Sequence, residues 1–202
     1  MLLTDLVTDF AQGIQAADSL APVASSSRTG ASYQPGIGPH TETQTVKLVM
    51  GYLGSAAPLR YAYCRLGVPY AYGTRQACDV CLGGPGPWEW AIEVKMLRLM
   101  GDNGKLNDNM LMHILSPYPK QRSALTDCTK LLDSQLGTHK AILIYRYDYS
   151  DWPMDPAIEA FETLANQKVK LASHAVAAFD GLIHPVHRRG RVFGWQVEPR
   201  DD

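Results

Sequence analysis

Apolar residues recur along the chain in two periods, one helical and one alternating. Leu3, Leu6, Val7, Phe10 and Ile14 fall at helical spacing, which predicts an amphipathic helix over residues 2–17 with Thr4 as its cap. Residues 19–40 show no period. They are rich in Ser, Pro, Gly and Ala, with Ser25-Ser26-Ser27 in a row, and predict a long loop. Val46, Val49, Met50 and Leu53 form a second apolar stripe over residues 41–53, with Thr41 or Thr43 as cap and Gly51 as a weak point. Residues 58–74 look aromatic and extended, with Tyr61, Tyr63, Tyr70 and Tyr72 in alternating pairs.

Residues 77–82 predict a short strand, and 83–87 (Gly-Gly-Pro-Gly-Pro) a turn. Residues 88–100 predict a second strand with Trp90, Ile92, Val94 and Met96 on one face, closed by Asp102-Asn103-Gly104. Helices are expected within 107–115 and over 123–136. The run Ala141-Ile142-Leu143-Ile144-Tyr145 reads as a buried strand. Residues 156–178 read as mostly helix, opened by Pro156, and 192–197 as a last strand. The expected class is α/β, a mixed central sheet flanked by helices.

Composition sets bounds on what this fold can do. The chain has 202 residues, of which 46% are hydrophobic and 19% charged, and a net charge of -1. That balance excludes a globally basic coat for nucleic acid and leaves room for a local basic patch. No apolar run reaches about 18 residues, so no spanning helix is expected. Asp5 and Asp9, without an early Lys or Arg, do not fit a secretory signal, and the expected location is cytoplasmic. The motifs GxxxxGK[ST], HExxH and GxSxG and an EF-hand loop are missing from the sequence.

The chemistry concentrates in the hairpin. Glu93 and Lys95 lie two apart in a strand and share a face, opposite Ile92, Val94 and Met96. Charged groups in an apolar strand are costly unless paired or bound to metal. A hairpin through the Gly-Pro turn brings Asp79 beside Glu93. Two carboxylates with a lysine suit a hard divalent cation such as Mg²⁺, with Mn²⁺ as a substitute. Such an ion lowers the pKa of a bound water and clamps a phosphate oxygen, which is chemistry for phosphodiester hydrolysis.

These residues, Asp79 followed by Glu93-Val94-Lys95 on an apolar strand, resemble the PD-(D/E)XK nuclease superfamily, with its restriction-endonuclease-like fold. The resemblance covers roughly residues 40–148. Cys78 stands where the family name expects proline. It implies Asp79 and Glu93, with Val94 between the acid and the lysine, as the metal-holding positions, Lys95 as the group that positions water, and Glu42 as a further acid. The nuclease-like domain is then 41–202, with 1–40 an N-terminal helix and loop. The implied activity is Mg²⁺-dependent endonucleolytic cleavage of DNA, as in type II restriction enzymes. Tight DNA binding by a nearly neutral chain calls for a homodimer that joins two basic edges.

Other readings of the same residues stand beside this one. Glu93 and Lys95 also suit a solvated strand face, Asp79 a turn edge, and Glu42 a favourable first helical turn. The fold would then serve as a non-catalytic nucleic-acid-binding or assembly module, with the first helix and Ser-rich loop as a tethering arm. Cys78 and Cys81 form a CxxC without a second pair, and in a strand they face opposite sides, so buried thiols are favoured over zinc. Phosphate contacts are expected from Arg122 and Ser123, ahead of a helix N-terminus, and from Arg188, Arg189 and Arg191 in the basic stretch 184–191. His113, His139 and His174 have no assigned place.

Overall fold

Six strands form one sheet in the order β1-β2-β3-β4-β6-β5. The computed structural model describes residues 1–70, 76–84, 87–118, 120 and 122–200. The expected placements of Tyr72, Pro85, Gly86 and Gln121 lie outside the described residues. The elements are α1 (Leu3–Ser19), α2 (Glu42–Ala56), α3 (Pro58–Tyr61), β1 (Cys64–Pro69), β2 (Ala77–Leu82) and β3 (Trp88–Leu97). They continue as α4 (Met112–Leu115), α5 (Ala124–Asp133), β4 (Gly137–Tyr147), α6 (Asp155–Ala165), β5 (Lys170–Phe179) and β6 (Gly190–Glu198). β3 and β4 run parallel, joined by a crossover that contains α5, and every other neighbouring pair is antiparallel.

Each face of the sheet carries its own core. Trp90, Ile92 and Val94 of β3 pack with Leu143 and Tyr145 of β4 beneath α1 and α2. Ala91 and Leu97 pack with Ile142 and Ile144 beneath α5 and α6. The alternation in β3 therefore sorts its side chains onto two layers, as its period of two requires.

α1 forms without a side-chain cap. Its N-cap is Leu2, whose amide donates to Asp5, so the expected cap at Thr4 is corrected. Leu3, Leu6, Val7, Phe10 and Ile14 are all buried. At about 1.5–3 kcal/mol for each such side chain, their burial outweighs the roughly 1 kcal/mol that a missing cap costs. α1 lies against β5, β6 and α2 within the main core, so it is a packed element rather than a tethering arm. In α2, Thr41 is the cap and Gln44 completes a reciprocal capping box.

The expectation of helix over 156–178 holds only to Ala165. Asn166 ends α6 and accepts from the Leu171 amide, and residues 170–179 form edge strand β5. The alanines of β5 favour helix by propensity, but tertiary packing overrides it. α1 approaches the sheet so closely that a Cβ on Gly194 would sit 2.4 Å from Val7. Ala175 pairs with Gly194, and small residues here leave room for the helix. Residues 58–61 are a short helix rather than extended chain, and the helix expected within 107–115 is confined to α4. β3 ends at Leu97, earlier than the expected 100.

Candidate functional site

The site lies where β2 and β3 part. Their pairing covers Val80–Leu82 against Trp90–Ile92, while β4 follows β3 along its whole length. Past Ile92, the β3 amides that would face β2 are taken by side chains. Asp79 Oδ2 accepts from the Val94 amide at 2.8 Å, and Glu42 Oε2 from the Met96 amide at 2.6 Å. Two carboxylates thus finish a strand edge that would otherwise be unpaired. Glu42 reaches it from the first turn of α2.

Glu93 and Lys95 point from β3 toward α5, and both are buried. Glu93 Oε1 accepts from the Tyr70 hydroxyl and lies 2.8 Å from Lys130 Nζ. Lys95 Nζ lies 2.8 Å from Asp127 Oδ2 and 3.5 Å from Glu42 Oε1, and donates to the Val94 carbonyl. Lys130 also donates to Asp127 Oδ1 at 2.7 Å and sits over the Tyr70 ring. Four carboxylates therefore meet two lysines. With all of them ionised, negative charge is in excess.

The electrostatics follow from that excess. Burial, then the Asp127 and Asp79 carboxylates, raise the Glu93 pKa well above the ordinary range, against the pull of Lys130 and Lys95. Burial also raises Glu42, with Lys95 and the Met96 amide opposing. For Lys95, burial favours the neutral amine, but Glu42, Asp127, Asp79 and Glu93 together hold it charged and raise its pKa. Lys130 is raised in the same way by Glu93 and Asp127 against burial. His113, at the rim, is lowered by burial and by Lys95.

A cleft of about 460 Å³ opens over these groups, with Glu42, Asp79, Glu93 and Lys95 in its wall. It shares Gln76, Arg122, Asp127 and Lys130 with a second hollow of about 350 Å³ toward Lys168. Arg122 lines both and holds a left-handed φ of 48°, a strained setting for a side chain of its size.

All four expected acid and lysine positions, Glu42, Asp79, Glu93 and Lys95, therefore meet in one cleft. The Val94 side chain is buried in the opposite layer, so only its backbone amide and carbonyl face the site. Sequence reasoning missed Asp127, Lys130 and the bond from Tyr70. The signal was present in α5, where Asp127 interrupts the apolar stripe Leu125, Cys128 and Leu131 and is itself buried. A charge in such a stripe needs a partner.

The expected phosphate contacts fare differently. Ser123 is fully buried; its hydroxyl caps α5 by accepting from Thr126 and donates to the Ser116 carbonyl, so it is corrected to a structural cap. Arg191 is ion-paired to Asp148 and Asp155. Arg188 and Arg189 are exposed but border another groove, beside Asp148, Asp151 and Asp180. Cys78 and Cys81 are fully buried in the same apolar cluster rather than on opposite sides. His139 packs against Trp90 with its ring tilted, and His174 stacks on Trp195.

The stretch 184–191 is not simply a basic surface. His184 and His187 are fully buried. Among the described residues, donor atoms of Asp102, His184 and His187 lie within 4.8 Å of one another and could hold a metal ion. No helix among the described residues is long and apolar enough to cross a membrane. Comparison with protein-family models, with curated proteins and with solved structures finds no match.

Proposed function

We propose that the chain is a Mg²⁺-dependent endonuclease that hydrolyses DNA phosphodiester bonds on a restriction-endonuclease-like core. The observation that carries this reading is the gathering of Glu42, Asp79, Glu93 and Lys95 at the free edge of β3, with negative charge in excess. The element order supports it: a helix bearing Glu42, three antiparallel strands, a helix, then a strand parallel to the third.

The donor set fits the ion. Asp79, Glu93 and the Val94 carbonyl offer hard oxygens, and Mg²⁺ needs only one or two carboxylates beside its waters. The raised pKa of Glu93 reflects burial first and then the negative charge of Asp127 and Asp79, which a divalent cation would relieve. When bound, Mg²⁺ activates water and offsets charge on the scissile phosphate. Lys95, held by Asp127 and Glu42, orients the attacking water or a phosphate oxygen. The water oxygen bonds to phosphorus and gives up a proton to solvent, one P–O ester bond breaks, and the departing oxygen takes a proton from solvent. Arg122 and Lys130 line the cleft, where they would meet the DNA backbone. A homodimer would join two such edges for double-strand cutting.

The test is cleavage of plasmid DNA in Mg²⁺ or Mn²⁺. Glu93→Ala and Lys95→Ala should abolish it in folded protein, and full activity in either would remove the assignment. A second reading, a non-catalytic binding or assembly module, is favoured by Lys130 and Lys95 already pairing with Glu93 and Asp127. It predicts that calorimetry detects no Mn²⁺ site dependent on Asp79 and Glu93, with or without DNA.

A further inference from the structure

We propose that Asp102, His184 and His187 form a zinc site, separate from the β3 cleft, that clips the loop after β3 to the loop between β5 and β6. The three residues come from two loops far apart in sequence. His187 Nε2 and Asp102 Oδ1 are 3.2 Å apart. Two ligands bound at about 2.0–2.1 Å to a tetrahedral Zn²⁺ stand about 3.3–3.4 Å apart, so this pair already has the spacing of a ligand edge. The His184 ring stacks on that of His187 with centroids 4.8 Å apart.

Two further observations point to a ligand. His184 Nε2 is a buried polar nitrogen without a hydrogen-bond partner, and Nδ1 of the same fully buried ring lies 3.3 Å from the Val186 amide, a contact that ligation through Nε2 would give up as Nδ1 takes the proton. Such an atom calls for water or an ion beside it. On His187, Nδ1 faces the Tyr149 hydroxyl at 3.0 Å. With Nε2 on the metal, Nδ1–H donates to Tyr149, the outer hydrogen bond that fixes a ligating imidazole. Both imidazoles must be neutral to bind. Burial lowers both, and His187 together with Arg98 adds to this for His184. Asp102 stays ionised; the His187 bond and Arg98 outweigh its burial. Arg98, the cation nearest Asp102, is 3.7 Å away and donates to the Gly38 carbonyl, which anchors it to the N-terminal loop. Two imidazoles and one carboxylate are a borderline donor set, suited to Zn²⁺ rather than Mg²⁺, with water as the fourth ligand.

The surroundings explain what the clip would hold. The loop before α2 presses on the site, since a Cβ on Gly38 would sit 2.7 Å from the His187 ring. Asp18 of α1 accepts from the amides of Ile37 and Ile183, tying the same loops together on the other side.

The test loads the chelator-treated full chain with Zn²⁺ alone and measures retained metal after equilibrium dialysis. The wild type and the Asp79→Asn/Glu93→Gln double variant should each keep one equivalent. His184→Gln and Asp102→Asn should bind at least tenfold more weakly. No retention by the wild type, or unchanged retention in both single variants, overturns the proposal. If the variants fail to fold, the Co²⁺-loaded wild type decides. Two hyperfine-shifted imidazole N–H signals are expected in its proton NMR spectrum, and fewer than two overturn the site.

Discussion

Asp79 Oδ2 accepts the Val94 amide proton at 2.8 Å, so the first acid of the candidate site also finishes the edge of the strand that carries the second. Structure and chemistry can be separated here. Asp79→Asn keeps an acceptor for Val94 and should leave stability close to wild type. Asp79→Ala orphans the amide and should cost about 1–3 kcal/mol. Both variants should lose metal-dependent cleavage. Thermal unfolding beside a plasmid assay reads the two effects, and an active Asp79→Asn would show that its charge is not needed.

Glu93 gives a pH prediction. Its folded-state pKa is raised, by burial first and then by Asp127 and Asp79. The folded chain thus binds this proton more tightly than the unfolded chain does. The stability it contributes is present below the ordinary carboxyl pKa and is lost as pH rises through the raised value. Glu93→Gln removes that loss. Its melting temperature relative to wild type should rise from pH 5 to pH 8, by about 2–4 °C for each kcal/mol relieved. A constant difference across that range would mean that Glu93 is ionised throughout. Mg²⁺ affinity of the wild type should climb over the same window.

Lys95 pairs with Asp127, whose side chain is only 3% exposed. Removing one member of a buried pair leaves an uncompensated charge, so Lys95→Ala should cost about 3–5 kcal/mol. Lys95→Met with Asp127→Leu should recover most of that loss, because the charge and its partner leave together. Urea unfolding of the two single variants and the pair measures the coupling. Additive losses would show that the pair does not act as a unit.

Ser123 separates a cap from a DNA contact. Ser123→Ala should lower stability by about 1 kcal/mol through loss of the α5 cap. Its DNA affinity should be unchanged, whereas Arg122→Ala, in the cleft wall, should weaken DNA binding and flatten its salt dependence. Fluorescence anisotropy with a labelled duplex at two salt concentrations makes the comparison.

Much of this arrangement was legible from local pattern. The period-two run through Trp90, Ile92 and Val94 placed Glu93 and Lys95 on the other face, and the Gly-rich turn brought Asp79 alongside. What stayed hidden depends on contacts between distant segments. Residues 170–178 read as the continuation of a helix opened by Pro156, yet pairing with β6 beneath α1 makes them a strand. Asp127 and Lys130 join the site only once the crossover lays α5 on β3. His184 and His187 look like part of a basic stretch until the fold buries them beside Asp102.

In the proposed function, the carboxylates at the β3 edge hold a divalent ion used on DNA. Mn²⁺ calorimetry in the presence of duplex DNA tests this by comparing wild type with the Asp79→Asn/Glu93→Gln double variant, each first loaded with one equivalent of Zn²⁺ to fill the Asp102, His184 and His187 site. A Mn²⁺ site is expected in the wild type and not in the double variant. Equal Mn²⁺ binding by both proteins, or none by either, would contradict it.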